Sequence, residues 1–498
     1  MRQKTLKRRE FVKRILAGTA GAALAGLPAL AARRRNKAPS KVLLIIADDL
    51  RPQLGCYGER QMVTPNIDRL ASRGMLFESS YCQQSICAPS RASLLTGLRP
   101  DSTKIYGLGI PVSQALPRHV TLPECFKING YETISLGKVF HYRTDSRNSW
   151  SREPFQPYVP AYVAPDSLAL LSTNMEVKPE DLWRQGPATE APDVPDNSYW
   201  DGQLTEYAIR EMERLKGKRF LLCVGYAKPH LPYAAPKKYW NLYDPAKLNL
   251  APNPFAPKGV TRYSMNDVGS LASFQGMPKG KEPISDKQAR QLIHGYYACV
   301  SFLDAQVGRL LAALDAFGLR DETIVVLWGD NGFKLGEHGA WDKHTDFEID
   351  TRVPLIVSIP GLKAVGTRTK ALVEAVDVYP TLGEACGLDL PGQPLEGISF
   401  APLLDEPDRP WKKAAFSQYP RRRIMGYALR TERYRYIEWK SMRNGKILER
   451  ELYDHDPDPQ ENANVIADPN YTEAIKELEQ MMNRGWRGAL PESRTTPS

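Results

Sequence analysis

The sequence predicts an α/β protein: a large central, mostly parallel sheet flanked by helices, followed by a smaller carboxyl-terminal α+β subdomain built on an antiparallel sheet. Three observations predict it. Short unbroken apolar runs recur along most of the chain, amphipathic segments lie between them, and the texture changes to short strands with charged turns beyond about residue 405. A strand buried on both faces needs a continuous apolar run, and alternation with helices gives a layered α/β domain.

In chain order, Val42–Ala47 (VLLIIA), Thr133–Leu136, Phe220–Val224 (FLLCV), Thr323–Trp328 (TIVVLW) and Leu355–Ile359 (LIVSI) read as buried strands. Gly202–Leu215 and Asp286–Phe317 read as helices with one apolar face. Pro-rich segments at about 143–200 and 231–285 interrupt this pattern and read as insertions that carry specificity. Beyond 405, Ala415–Tyr419, Gly426–Arg430, Tyr434–Trp439 and Arg450–Tyr453 read as antiparallel strands, and a stretch from about Thr472 to Arg484 as a helix. The expected organisation is a catalytic domain over 40–405 and a subdomain over 406–498.

The composition of the 498 residues, 42% hydrophobic and 25% charged, excludes a disordered, collagen-like or membrane-embedded chain. A net charge of +10 would point to nucleic acid or an anionic membrane if it were spread over the surface. It is not. Residues 1–37 hold eleven basic side chains and one acidic one, which accounts for the whole excess, and no nucleic-acid partner is expected. The same residues read as a leader: a basic start, an apolar run from Ile15 to Ala31, and an Ala29-Leu30-Ala31 cleavage site. Arg8-Arg9 followed by Glu10-Phe11-Val12-Lys13 resembles a bacterial twin-arginine export signal, with a Sec leader or an uncleaved anchor helix as alternatives. Residues 1–31 are therefore expected to address the chain to an export machinery, giving a periplasmic or extracellular protein without stable membrane insertion.

Ligands in open α/β sheets sit beyond the carboxyl ends of the strands. The residues that follow four of the runs are Asp48 and Asp49, Lys138 and His141, Lys228 and His230, and Asp330 and Asn331. Asp48, Asp49, Asp330 and Asn331 offer only oxygen ligands, which suit Ca²⁺ or Mg²⁺ and argue against zinc. With Arg91, Lys138, His141, His230 and Lys343 around it, such a cation makes a pocket for a tetrahedral oxyanion, sulfate or phosphate. Taken singly, each acidic pair is also an ordinary helix cap or turn.

The nucleophile candidate is Cys87, one of seven scattered cysteines with no zinc or CxxC spacing. It lies in Cys87-Ala88-Pro89-Ser90-Arg91-Ala92-Ser93-Leu94-Leu95-Thr96-Gly97, which resembles the sulfatase signature C-x-P-S-R-x-x-x-L-T-G. Gly130 to His141 resembles the second sulfatase signature, and Asp48-Asp49, Lys228-Pro229-His230-Leu231-Pro232, Gly329-Asp330-Asn331-Gly332, Gly336-Glu337-His338-Gly339, Val376-Asp377-Val378-Tyr379-Pro380-Thr381 and Glu451-Leu452-Tyr453-Asp454 are further matches in sulfatase order. The resemblance spans about residues 41 to 465. Within the formylglycine-dependent type I sulfatases, of alkaline phosphatase-like fold, the K-P-H-x-P string and Trp341-Asp342-Lys343 look most like the iduronate-2-sulfatase branch. Asn331 departs from that branch, which commonly has His there, and agrees with other sulfatases.

The resemblance implies that Cys87 is converted to formylglycine by a maturation enzyme. It implies one Ca²⁺ held by Asp48, Asp49, Asp330, Asn331 and the residue at position 87. Arg91 and Lys138 would steady the formylglycine hydrate, and His141 would be the base that collapses the hemiacetal sulfate. His230 would be the acid for the leaving oxygen, and Lys343 would bind a sulfate oxygen. The substrate implied is a sulfated carbohydrate, with a uronate 2-O-sulfate as the specific expectation. The alternatives are a phosphonate monoester or phosphodiester hydrolase with the same site, an unmatured glycan-binding paralogue, and, for Cys87 alone, a structural thiol or a disulfide with Cys82. Trp150, Tyr158, Trp183 and Tyr233 are candidate sugar platforms, although packing is the commoner role of each such ring taken singly.

Overall fold

A computed structural model describes residues 39–141, 146–172, 186–265, 269–279 and 282–491; the expected leader and Trp183 lie outside them. The central sheet begins with β1, Lys41–Asp48, buried along its whole length. Leu43, Ile45 and Ala47 enter the core on one face, and Val42, Leu44 and Ile46 the core on the other. Both faces being covered explains why the run shows no polar alternation.

The other strands of this sheet are β2 (Met75–Phe77), β3 (Glu132–Gly137), β4 (Phe220–Pro229), β5 (Thr323–Gly329), β6 (Leu355–Ser358) and β7 (Thr367–Thr369). Their spatial order is β7-β2-β6-β5-β1-β4-β3. β1 runs parallel to β4 and β5, and β3 to β4. β6 runs antiparallel to β5 and β2. An apolar run reports burial and not direction, so nothing in Leu355–Ile359 foretold that reversal.

Helix α1, Pro65–Arg73, lies on one side of the sheet and α2, Cys87–Thr96, and α3, Leu122–Ile128, on the other. On the first face, α4 (Trp200–Arg214) buries Leu204, Ala208 and Met212 beside α5 (Asp286–Ala316). α5 starts at a reciprocal cap, in which Ser285 and Gln288 satisfy each other's amides. It is long and apolar enough to cross a membrane, yet most of its side chains are buried in this core. Helix α6, Val378–Ala385, closes the second face.

Strands β8 (Ala415–Arg421), β9 (Ile424–Arg430), β10 (Tyr434–Ser441) and β11 (Ile447–Asp454) form an antiparallel meander. Helix α7, Thr472–Arg484, packs Leu478 and Met482 against Leu429, Tyr436 and Leu452 on one side of it. On the other side, Ile437, Trp439 and Tyr453 meet Phe347 of the catalytic region. Buried ion pairs fasten the two. Arg99 binds both oxygens of Glu374 at 2.8 Å, and Lys412, just before the meander, reaches Glu374 and Asp377 at 2.7 Å. Arg435 of β10 bridges Glu348 and Glu461.

Candidate active site

The carboxyl ends of β1 and β5 lie side by side, because Ala47 is in register with Gly329. Asp48, Asp49, Asp330 and Asn331 are thereby brought together, all at most 1% exposed. Asp49 has φ 62°, a left-handed turn that carries the chain off the strand. Its amide donates to Asp330 Oδ1 at 3.0 Å, and Asn331 Nδ2 donates to Asp49 Oδ1 at 2.7 Å. Asp48 Oδ1 and Asn331 Oδ1 accept no hydrogen bond although both are buried. Orphaned buried oxygens are rare, and a cation is one partner that satisfies them.

Cys87 opens α2 directly against this cluster. Ligand atoms of Asp48, Cys87 and Asp330 lie within 4.8 Å of one another. All ten residues of α2 are buried, and Cys87 is 4% exposed. Ser90, one turn on, donates from Oγ to the Asp330 carbonyl and so ties the helix to the end of β5. None of the seven cysteines is paired, so the disulfide alternative for Cys87 is not realised. Burial pushes the Cys87 thiol up, against the pull of Lys138 and Lys343. An unmodified cysteine here is protonated and a poor nucleophile.

Three basic side chains neutralise the three carboxylates. Lys138, at the end of β3, bonds Asp48 through Nζ, and Lys343, on the loop after β5, bonds Asp49. Arg91 donates from Nε to Asp330 Oδ2 at 2.7 Å and lies 3.7 Å from Asp48 Oδ1. Its remaining arm bonds the carbonyls of Lys138 and Val139, the latter at 3.3 Å. Burial opposes the charge on Asp48, but Lys138, His230, Arg91 and Lys343 together hold its carboxyl well below the usual range. Burial pushes Asp330 up to about 6 despite Arg91. Three acids against three bases leave the cluster near neutral, so a bound dication would make it cationic and receptive to an anion.

The histidines flank this centre. His230 Nδ1–H donates to the Leu231 carbonyl at 2.6 Å, which fixes the tautomer and leaves Nε2 facing Asp49 Oδ2 at 3.8 Å. Burial holds His230 below the ordinary histidine range, and burial with Lys138 pushes His141 down to about 3. The structure thus brings together Asp48, Asp49, Cys87, Arg91, Lys138, His230, Asp330, Asn331 and Lys343, and the titration of His141 places it within their field. Lys228 does not join them. Its Nζ turns back to the Pro232 carbonyl at 2.6 Å.

Two of the expected sugar platforms are corrected. Trp150 is 3% exposed and packs edge-on to Phe140, and Tyr233 is 1% exposed against Tyr296, so neither offers a face to a ligand. Both are apolar rings with a polar tip, and that chemistry serves a core as well as a cleft. Tyr158 is fully exposed.

The family profile described as Sulfatase matches residues 40–388, which span β1 to β7 and every residue of the site. The chain belongs to the sulfatase family. A second profile, N-sulphoglucosamine sulphohydrolase, C-terminal, matches residues 336–487 of this sulfatase. The iduronate 2-sulfatases of Mus musculus and Homo sapiens are each 35% identical to it, over 86% of this chain and 91% of theirs. Its fold resembles that of the phosphonate monoester hydrolase of Agrobacterium radiobacter, with a TM-score of 0.73, 24% identity, and coverage of 89% and 95% of the two chains. It also resembles an enzyme solved with its substrate D-glucosamine-2-N,6-O-disulfate, with a TM-score of 0.71, 23% identity, and coverage of 91% and 98%. This sulfatase is therefore an enzyme that hydrolyses sulfate esters.

Proposed function

We propose that this sulfatase removes the 2-O-sulfate of a uronate in a sulfated polysaccharide, using formylglycine at position 87 and one Ca²⁺. The observation that carries the reading is the buried set of three carboxylates and an amide around Cys87, with two orphaned oxygens. Asp48, Asp49, Asp330 and Asn331 would hold the cation together with the residue at position 87. All-oxygen donors of this kind fit a hard ion. When present, the formylglycine hydrate and the cation supply an activated oxygen nucleophile and neutralise charge on the sulfate.

The chain's own residues do the rest. Lys343, buried and held charged by Asp49, binds a sulfate oxygen and keeps the ester oriented, and Lys138, buried beside Asp48, would steady the hydrated residue at position 87. Arg91 is fully buried and acts as a strut between Asp330, Asp48 and the end of β3. His230 delivers a proton from Nε2 to the departing sugar oxygen. An anionic sulfate beside it raises its protonated fraction, and the Leu231 carbonyl retains the Nδ1 proton afterwards. His141, which burial and the neighbouring Lys138 keep in its neutral form, takes a proton during sulfate release. Without an acid at the leaving oxygen, a sugar alkoxide is too basic to depart readily.

The choice of a uronate rests on the 35% identity to iduronate 2-sulfatases over most of both chains. Desulfation of a panel of 2-O-, 6-O- and N-sulfated disaccharides tests it: the 2-O-sulfated uronate should be the preferred substrate, and a preference for 6-O- or N-sulfate would refute it. A second reading, hydrolysis of phosphonate monoesters or phosphodiesters, is supported by the likeness in fold to the Agrobacterium enzyme. A higher kcat/KM on an aryl phosphodiester than on an aryl sulfate would favour it. In a binding-only paralogue, the Cys87 peptide would lack the loss of roughly 18 Da that marks conversion of thiol to aldehyde. Maturation by a formylglycine-generating enzyme and export through the leader complete the reading.

A further inference from the structure

The β4 strand does not run smoothly into the site. Ala47 of β1 pairs with Tyr226, but Asp48 pairs with Pro229, so Ala227 and Lys228 form a two-residue bulge. The bulge removes two backbone amides from the sheet ladder just before His230. Both find the same partner. Asp201, at the start of α4 and 1% exposed, accepts from Ala227 N at 2.9 Å through Oδ1 and from Lys228 N at 2.8 Å through Oδ2. Lys228 then folds back to the Pro232 carbonyl at 2.6 Å and the His230 carbonyl at 3.5 Å, while His230 N donates to Ala227 O at 3.1 Å.

The mounting under Asp201 is stiff. Thr205 Oγ1 donates to the Asp201 carbonyl at 2.8 Å and bonds Tyr226 Oη at 2.8 Å, so helix and strand are pinned together on both sides of the carboxylate. A Cβ on the next residue, Gly202, would come within 2.0 Å of the Asp196 carbonyl, so the start of α4 packs directly against the turn before it. Sequence reasoning passes over Asp201 because an acid in the first turn of a helix looks like an ordinary cap. Here the carboxylate is turned across to another element.

We propose that Asp201 is a positioning residue for His230. It clamps the bulge that sets where Nε2 stands relative to the leaving oxygen. This rests on the assignment of His230 as the proton donor. A general acid matters in proportion to the basicity of the leaving group, so loss of its placement should be selective. A sugar alcohol needs the proton; a nitrophenolate scarcely does.

The test compares Asp201→Ala, Asp201→Asn, His230→Ala and the Asp201→Ala/His230→Ala double variant of the whole, matured protein on a 2-O-sulfated disaccharide and on 4-nitrophenyl sulfate. Asp201→Ala should lower kcat on the disaccharide by about tenfold or more, with less than about a threefold change on the aryl sulfate and in KM, given the size of general-acid effects and their sensitivity to placement. Asp201→Asn, which keeps one acceptor, should fall in between, and it carries the test if Asp201→Ala does not fold. The double variant should be no slower on the disaccharide than His230→Ala alone. Equal losses on both substrates, or losses that multiply in the double variant, would overturn the proposal by making Asp201 a merely structural residue. If His230→Ala itself shows no selectivity between the two substrates, the assignment of His230 falls and this inference falls with it. Selectivity in His230→Ala but not in the Asp201 variants overturns this inference alone.

Discussion

Arg91→Lys is a test of how the site is held up, because it keeps the charge and removes the shape. Arg91 is fully buried and uses one arm on Asp330, at 2.7 Å, and another on the carbonyls of Lys138 and Val139. A lysine ammonium is a single point that can replace the contact to Asp330 but cannot also span to β3. Two buried carbonyls then lose a charged donor, each worth about 1.5–3 kcal/mol, so the variant should be less stable by roughly 3–6 kcal/mol. For a protein of this size that is a drop in Tm of roughly 3–6 °C. Since the end of β3 also carries Lys138 and His141, kcat/KM on a sulfated disaccharide should fall by about a hundredfold or more. Thermal melting followed by fluorescence and steady-state kinetics on the same preparation check both numbers. A Tm within 2 °C of the parent with turnover abolished would refute the strut, and would mean that Arg91 acts on the substrate alone.

Further outcomes can be measured beside it. Cys87→Ala should abolish turnover while substrate affinity, measured by titration calorimetry, changes only a few-fold, because the basic side chains and the carboxylates remain. Removal of Ca²⁺ by a chelator should abolish activity and lower Tm, and both should return on adding the ion; a ligand at a hundred times its Kd stabilises by about 2.7 kcal/mol. Glu374 supplies a pH signature: burial works against its charge, but Arg99 and Lys412 pull its folded pKa down to about 2 from an ordinary 4.5. Its contribution to stability is thus complete above about pH 4.5 and is lost as the pH falls toward 2. Glu374→Gln should flatten that part of the melting curve and cost about 3–5 kcal/mol at neutral pH, since Arg99 loses its buried partner.

The grouping of side chains at the candidate site was legible because strand ends are fixed by topology. Asp48 and Asp330 each follow an apolar run directly, and parallel neighbours place such ends together. The helix near Thr472–Arg484 was readable, since its apolar spacing is undisturbed. Other features left no local trace. Met75–Phe77 and Thr367–Thr369, neighbours at one end of the sheet, are strands of three residues, too short for periodicity to register. The direction of β6 depends on how the chain returns to the sheet and not on its residues. Trp150 and Tyr233 have the composition of sugar platforms, and only tertiary packing shows them to be core. The work of Asp201 depends on a bulge in a neighbouring strand, a relation between two elements that no single stretch of sequence contains.

The hydrogen bond from Asp49 to Asp330 joins residues 281 positions apart. The acidic half of the centre is thus synthesised early and waits through most of the chain for its counterparts, Asp330, Asn331 and finally Lys343. Closing so long a loop is entropically slow, and it is repaid only when β5 zips alongside β1. Until then Asp48 and Asp49 are solvated carboxylates with no fixed geometry. Assembly of this candidate ion site is in this sense a late event that follows completion of the central sheet. A substitution that delays β5 docking, even one remote from any catalytic atom, should therefore surface first as a shortage of metal-competent protein rather than as a slower enzyme.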